Sequence, residues 1–284
     1  MRFFVSRHVS ESSPDHVRAL AGRCVASVRA VYPTARVTVV EDRVAANLSF
    51  APPDARVRVV ANPFPGSGEM GTVYTALHSD LNPDREREEA SVVMHDSMVL
   101  LAPITSDPGP LGVRALWDFR RYHFHHLPEV LAILAKLASR PGSDAQYDTR
   151  LQMACHARYS RVLEMVSLYT RPIIGGAPWS GCFGMGLLAT RRGLESLNNV
   201  FGILEEPILR EIDTREKRQA MERVVGLAMV AGAGEHLRDP VCGEIFAHPD
   251  PWKTESASMS LAEMKAFVAS KGYRAPLAKS WVGR

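Results

Sequence analysis

The sequence is short of cysteine and lacks any run of apolar residues long enough to cross a membrane. Its four cysteines, Cys24, Cys155, Cys182 and Cys242, stand far apart. No pair has the close spacing of a zinc site and none suggests a disulfide framework, so reduced, mostly buried thiols are expected. The opening residues Arg2-Phe3-Phe4-Val5 contain no apolar stretch of signal-peptide length. The expectation is a cytoplasmic protein without a transmembrane segment. An excess of one charge is also missing. With 34 basic and 31 acidic residues the formal net charge is +3, too balanced for nucleic acid to be the main partner. No Gly-x-Gly-x-x-Gly turn follows the first apolar segment, which disfavours a dinucleotide-dependent oxidoreductase or a methyltransferase. Internal repeats, low-complexity tracts and a clear interdomain linker are absent as well.

What is present is an alternation of strand and helix. Phe3 to Val5, Arg36 to Val40, Val57 to Val60 and Val92 to Met94 read as strands. Between them, His16 to Val31 has helical spacing through Val17, Leu20, Cys24, Val28 and Val31, with Ser13 as N-cap and Pro14 at the first position. Gly66-Ser67-Gly68-Glu69 opens a second helix toward His78. Further helices are expected at Leu127 to Ser139, Thr149 to Tyr169, Arg191 to Phe201 and Arg215 to Ala231, and a strand at Met185 to Ala189. The tail from Lys271 to Arg284 is basic with little apolar periodicity. The rhythm implies an α/β fold with a central, mostly parallel sheet flanked by helices and a helix-rich C-terminal half. A single domain over 1–284 is expected, with a ligand-binding half at 1–105 and a second half at 106–284.

Asp96 is the most informative residue. It follows the apolar run Val92-Val93-Met94, and a second apolar run leaves it. A buried strand that ends in a carboxylate presents it at the rim of a sheet, where open α/β folds bind their ligands. Magnesium and manganese prefer such oxygen ligands, often together with the phosphates of a nucleotide. Three other elements are consistent with the same site. Ser6-Arg7 follow the first strand. Asp42 ends the second and is placed to accept a hydrogen bond from a base or ribose. Gly68 lies at a helix N-terminus that favours anions, where Glu69 opposes a phosphate placed close by and suits a structural or sugar-hydroxyl role better.

Several blocks in the same order carry a resemblance: Phe4-Val5-Ser6-Arg7-His8-Val9, Ser27-Val28-Arg29-Ala30-Val31-Tyr32-Pro33, Gly66-Ser67-Gly68-Glu69-Met70, Val93-Met94-His95-Asp96-Ser97, Trp179-Ser180-Gly181-Cys182-Phe183-Gly184-Met185, Thr214 to Arg223, Cys242-Gly243-Glu244-Ile245 and Lys279 to Arg284. Together they resemble the small GT-A-type glycosyltransferase-like proteins of large DNA viruses and some microbes, over nearly the whole chain. The resemblance implies a GT-A (Rossmann-like) fold, a nucleotide-sugar donor, a glycan or other hydroxyl acceptor, and Mn²⁺ or Mg²⁺ bound near His95-Asp96-Ser97. The chain departs from the pattern in two respects: the usual paired aspartates are reduced to Asp96, with His95 in the first place, and Glu41-Asp42-Arg43 stands where such families often carry two aspartates and then a polar residue.

An inverting transferase needs a carboxylate to take the acceptor proton. Glu222 sits on a helix whose other face is apolar, and either faces a cleft or pairs with Arg218 or Arg223. Glu244 is the alternative, with Glu205-Glu206 behind it, and a retaining enzyme needs no such base. Trp179, Ser180 and Gly181 form the candidate acceptor surface, since an aromatic face stacks on a sugar ring and glycine permits close approach. His248 is a candidate second metal ligand beside Asp96. Lys279 and Arg284, with Lys271 and Arg274, are placed to close over a diphosphate. The competing reading is a non-catalytic nucleotide- or glycan-binding protein with a degenerate metal motif.

Overall fold

The structure is a computed structural model and describes residues 1–79, 89–119, 125–139, 149–170, 180–233, 240–245 and 258–280. In chain order, β1 (Arg2–Arg7) leads to helices α1 (Asp15–Arg18) and α2 (Leu20–Val31), then β2 (Arg36–Glu41), β3 (Val57–Ala61), α3 (Glu69–Leu77) and β4 (Ser91–His95). Three short strands follow, β5 (Met98–Leu100), β6 (Val113–Ala115) and β7 (Asp118–Phe119), and then α4 (Leu127–Ala138) and α5 (Thr149–Thr170). The remainder comprises β8 (Gly181–Cys182), β9 (Leu187–Ala189), α6 (Arg191–Phe201), α7 (Glu206–Leu209), α8 (Arg215–Ala233), α9 (Leu261–Ser270) and β10 (Leu277–Lys279).

Side-chain alternation builds the layers. In β1, Phe3 and Val5 join a buried cluster with Cys24, Val25 and Val28 of α2, while Phe4 joins the opposite cluster with Met70 and Val73 of α3. In β4, Val92 and Met94 go to the first cluster and Val93 to the second. A helix therefore covers each face, and strands buried on both sides read as continuous apolar runs. The second cluster is also the larger. It gathers Val130 and Leu134 of α4, Val162 and Met165 of α5, Leu194 and Phe201 of α6, and Met221, Val224 and Leu227 of α8.

The central sheet has the order β3-β2-β1-β4-β9-β6. β1 pairs in parallel with β2 and β4, and β2 with β3, whereas β9 runs antiparallel to β4 and β6. The chain winds from β1 out to β3 and then returns to the other side of β1 as β4. That reversal makes the gap between β1 and β4 a topological switch point. Its crevice lies beyond the carboxyl ends of the strands, where open α/β sheets bind ligands.

Several local expectations are corrected. The helix expected over 16–31 is broken at Ala19 into α1 and α2; Pro14 is its N-cap, and the Ser13 hydroxyl accepts the Ser10 amide instead. The C-terminal part of the described chain also holds two elements that were not anticipated. Ser260 and Glu263 form a capping box at the start of α9, and β10 pairs antiparallel with β5, Leu277 opposite Leu100. Among the described residues no helix is long and apolar enough to cross a membrane.

Helix α8 lies hard against β8. A Cβ on Gly226 would stand 2.2 Å from the Ser180 carbonyl oxygen and 2.8 Å from the Gly181 Cα. Both obstacles are backbone, so neither can swing aside. Gly226→Ala is expected to cost about 1–3 kcal/mol through overpacking, read as a lower midpoint in urea. An unchanged midpoint would show that the helix can lift off β8.

Candidate functional site

Each carboxyl end at the switch point delivers a polar side chain to one cleft. β1 contributes Ser6, with His8 just beyond it; Asp42 follows β2; His95, Asp96 and Ser97 end β4. The ladder continues one residue past the strands, with the Asp42 amide donating to the Arg7 carbonyl at 2.9 Å and the Asp96 amide to the Ser6 carbonyl at 3.0 Å. This continuation fixes both aspartates at the rim, 1% and 3% exposed respectively. The opposite wall comes from Arg215, Arg218, Gln219 and Glu222 of α8, from Phe183 and Gly184, and from Lys279 and Ser280. The cavity volume is about 140 Å³, room for on the order of ten water positions, so it is a hydrated cleft and not a packing defect.

Asp42 organises one side. Its Oδ1 accepts the Gly66 amide at 2.6 Å and its Oδ2 the Gly68 amide at 3.0 Å. Gly66 and Gly68 have φ of 100° and 56°, in the left-handed region that favours glycine. Asn62 reinforces the turn, donating to the Gly68 carbonyl at 3.2 Å and accepting the Phe64 amide at 2.9 Å. This tight turn places Glu69 at the first position of α3, facing the cleft. Asp42, expected to bind base or ribose, thus lines the cleft with both carboxylate oxygens already on backbone amides.

The centre of the cleft holds two carboxyl groups with opposed titration. Glu69 Oε1 lies 2.9 Å from His95 Nε2. Burial pushes the Glu69 carboxyl up, but the charge and hydrogen bonding of His95, its own backbone amide and the nearby Arg218 outweigh that and hold it at about 2. Glu222 Oε1 accepts the Gly184 amide at 3.0 Å. Burial, and then the negative charge of Glu69, push the Glu222 carboxyl up to about 7, against the pull of Lys279, Arg223 and the Gly184 amide. Pairs of acids driven apart in this way mark acid–base sites. Gly184 has φ of 58°, and a Cβ there would stand 3.0 Å from His95 Nε2 and 3.3 Å from Lys279 Nζ. The imidazole, the ammonium and the amide that binds Glu222 therefore converge on one glycine.

The structure brings Ser6, Asp42, Gly68, Glu69, His95, Asp96, Ser97, Lys279 and Glu222 together. Other expected residues are placed elsewhere. Arg7 is buried, its guanidinium 2.5 Å from Glu41 Oε1. Glu244 forms an isolated bridge with Asp118, away from the cleft lining. Gly181 is covered by Phe119, whose Cζ would be 2.1 Å from a Cβ on it, so it offers no open acceptor surface. Ser180 is half-buried against α8, outside the lining. Trp179, His248 and Arg284 lie outside the described residues. His8, Gly184, Arg215, Arg218, Gln219 and Ser280 were not singled out from sequence. A signal existed for three of them: Arg215, Arg218, Gln219 and Glu222 follow i, i+3, i+4, i+7 spacing, one polar stripe on a helix with an apolar opposite face.

Of the two expected metal ligands, Asp96 lines the cleft and His248 lies outside the described residues. Among the described residues no three His, Cys, Asp or Glu side chains come together that could hold a metal. His95 contacts Glu69, and Asp42 holds its turn.

No protein-family model matches the chain, and no curated protein sequence matches it. Among solved structures, an active-site mutant of LgtC aligns over 99% of this chain and 88% of that one, at 8% identity and a TM-score of 0.42. The galactosyltransferase LgtC in complex with donor and acceptor sugar analogs aligns over 95% of this chain and 96% of that one, at 11% identity and a TM-score of 0.33. Similarity at this level assigns no activity.

Proposed function

We propose that the chain is a glycosyltransferase that moves a sugar from a nucleoside-diphosphate sugar, UDP- or GDP-linked, to a hydroxyl of a glycan or other acceptor. The observation that carries this reading is the switch-point cleft itself, where a carboxyl group held near neutrality faces cationic side chains across the ends of β1, β2 and β4. The sequence resemblance points the same way. Residues 1–105 supply the donor side through Ser6, Gly68, Glu69 and Asp96. Residues 106–284 supply Glu222 and the acceptor side.

In this reading Glu222 is the general base of an inverting displacement. The acceptor oxygen bonds to the anomeric carbon as the bond from that carbon to the diphosphate oxygen breaks. The hydroxyl proton passes to the Glu222 carboxylate, and the nucleoside diphosphate leaves with the electron pair. A base with a pKa near the working pH combines a populated ionised form with useful basicity. Gly184, which donates to Oε1, fixes the direction of that carboxylate.

Calorimetric titration with a panel of UDP- and GDP-sugars tests the reading, followed by mass spectrometry of acceptor glycans mixed with the donor that binds. Micromolar to millimolar binding and a mass gain of one sugar are expected. No binding to any nucleotide sugar would overturn the proposal. Binding without turnover on any acceptor would favour the non-catalytic alternative.

A further inference from the structure

We propose that the cleft holds the diphosphate of its donor with Arg215, Arg218 and Lys279 in the place of a divalent metal. This rests on the nucleotide-sugar reading and deepens it.

Four acidic side chains line the cleft, Asp42, Glu69, Asp96 and Glu222. Asp42 accepts two backbone amides, Glu69 contacts His95, and Glu222 accepts the Gly184 amide. Each of these three is turned to its own partner. Magnesium and manganese are held by oxygen ligands that meet at one point, and no such meeting of three His, Cys, Asp or Glu groups occurs among the described residues.

The cationic side chains, by contrast, come to one cleft from two elements. Arg215 and Arg218 are three residues apart on α8 and share a face one turn before Glu222. Lys279 arrives from β10. Arg218 and Lys279 each have a fixed post. Arg218 lies along the glycine turn, its Cδ 2.6 Å from where a Cβ of Gly68 would be, and its guanidinium donates to the Gly66 carbonyl at 3.0 Å. A guanidinium carries five N–H donors, so that bond uses a fraction of its capacity. The Lys279 ammonium stands 4.7 Å from the centre of the Phe183 ring and close to Gly184. A diphosphate bears a charge on each phosphate and gains another as the sugar departs. Arginine recognises such oxyanions through a planar fork and lysine as a point charge. Prepositioned cations of this kind stabilise charge that develops on a leaving phosphate, which is the service a metal performs in other sites.

The test is calorimetry with inorganic pyrophosphate, UDP, GDP and the sugar panel, in EDTA and again in excess Mn²⁺, with melting temperature measured on every preparation. Binding in EDTA is expected, with dissociation constants within about twofold of those in Mn²⁺. Arg215→Gln and Lys279→Gln should each weaken binding by about tenfold or more, the worth of a lost charge-assisted hydrogen bond, with melting temperatures near wild type. Arg218→Lys should restore part of what Arg218→Gln loses. Binding that appears only with Mn²⁺, or tightens tenfold in it, overturns the inference and leaves the transferase reading standing. So do folded Arg215→Gln and Lys279→Gln variants with wild-type affinity. Failure of every nucleotide and nucleotide sugar to bind under both conditions overturns both.

Discussion

Glu222→Gln is expected to lower turnover by roughly two to four orders of magnitude, the usual worth of a positioned general base, with donor and acceptor affinities unchanged. Glutamine keeps the shape and can still accept the Gly184 amide through its carbonyl oxygen, so the fold should survive. The pH dependence separates catalysis from structure. Wild-type turnover should rise with pH through about 7 as the carboxyl ionises beside Glu69, Lys279 and Arg223; the variant should lose that limb. Stability runs the other way. Folding raises this carboxyl above its unfolded value, so its contribution is present at low pH and lost as pH rises through about 7. Wild type should therefore weaken relative to Glu222→Gln as pH rises from about 4.5 to about 7, and hold a constant difference above that. Near-normal turnover in a folded variant would falsify the base assignment and favour a retaining mechanism.

Asp42→Ala should unfasten the turn at Gly66–Gly68. Two amides lose a charged acceptor in a buried place, and hydrogen bonds to charged groups contribute about 1.5–3 kcal/mol each. A loss on the order of 3 kcal/mol, or roughly 5–10 °C in melting temperature, is expected. Affinity for nucleotide sugar should fall as well, because Glu69 and Arg218 both lean on that turn. Asp42→Asn keeps one acceptor and should recover part of the stability. If Asp42→Ala melts with wild type yet binds donor poorly, the side chain touches the ligand directly, as the sequence suggested.

Legibility followed the length and periodicity of each element. β1, β2 and β4 were readable because both their faces are buried, which leaves apolar runs, and the edge strand β3 because Val57, Val59 and Val60 keep a short apolar pattern. α6 was readable to the residue, capped by Thr190 and closed by Gly202 in the left-handed region. β5, β7, β8 and β10 are two or three residues long, and a strand of that length is defined by its partner more than by its own pattern. The same distinction divides the site. Asp96 and Asp42 were visible as rim carboxylates, and Glu222 as a carboxylate on an otherwise apolar helix. What each oxygen is occupied with was not visible, since Gly66, Gly68 and Gly184 reach these groups through backbone amides that carry no residue code. Arg7 illustrates the converse: its strand-end position was right, but its charge is turned to Glu41.

The pairing of β10 with β5 has a kinetic consequence. Lys279 reaches the cleft only when Leu277 has found Leu100, and the Ser280 amide then donates to the Ser97 carbonyl at 2.8 Å. Loops of that span close late, because their entropy must be overcome before the contact rewards it. During refolding, the sheet and its helices can therefore be native while the cleft still lacks its lysine. Recovery of ligand binding should trail recovery of secondary structure, making occupancy of the cleft a gauge of the final folding step.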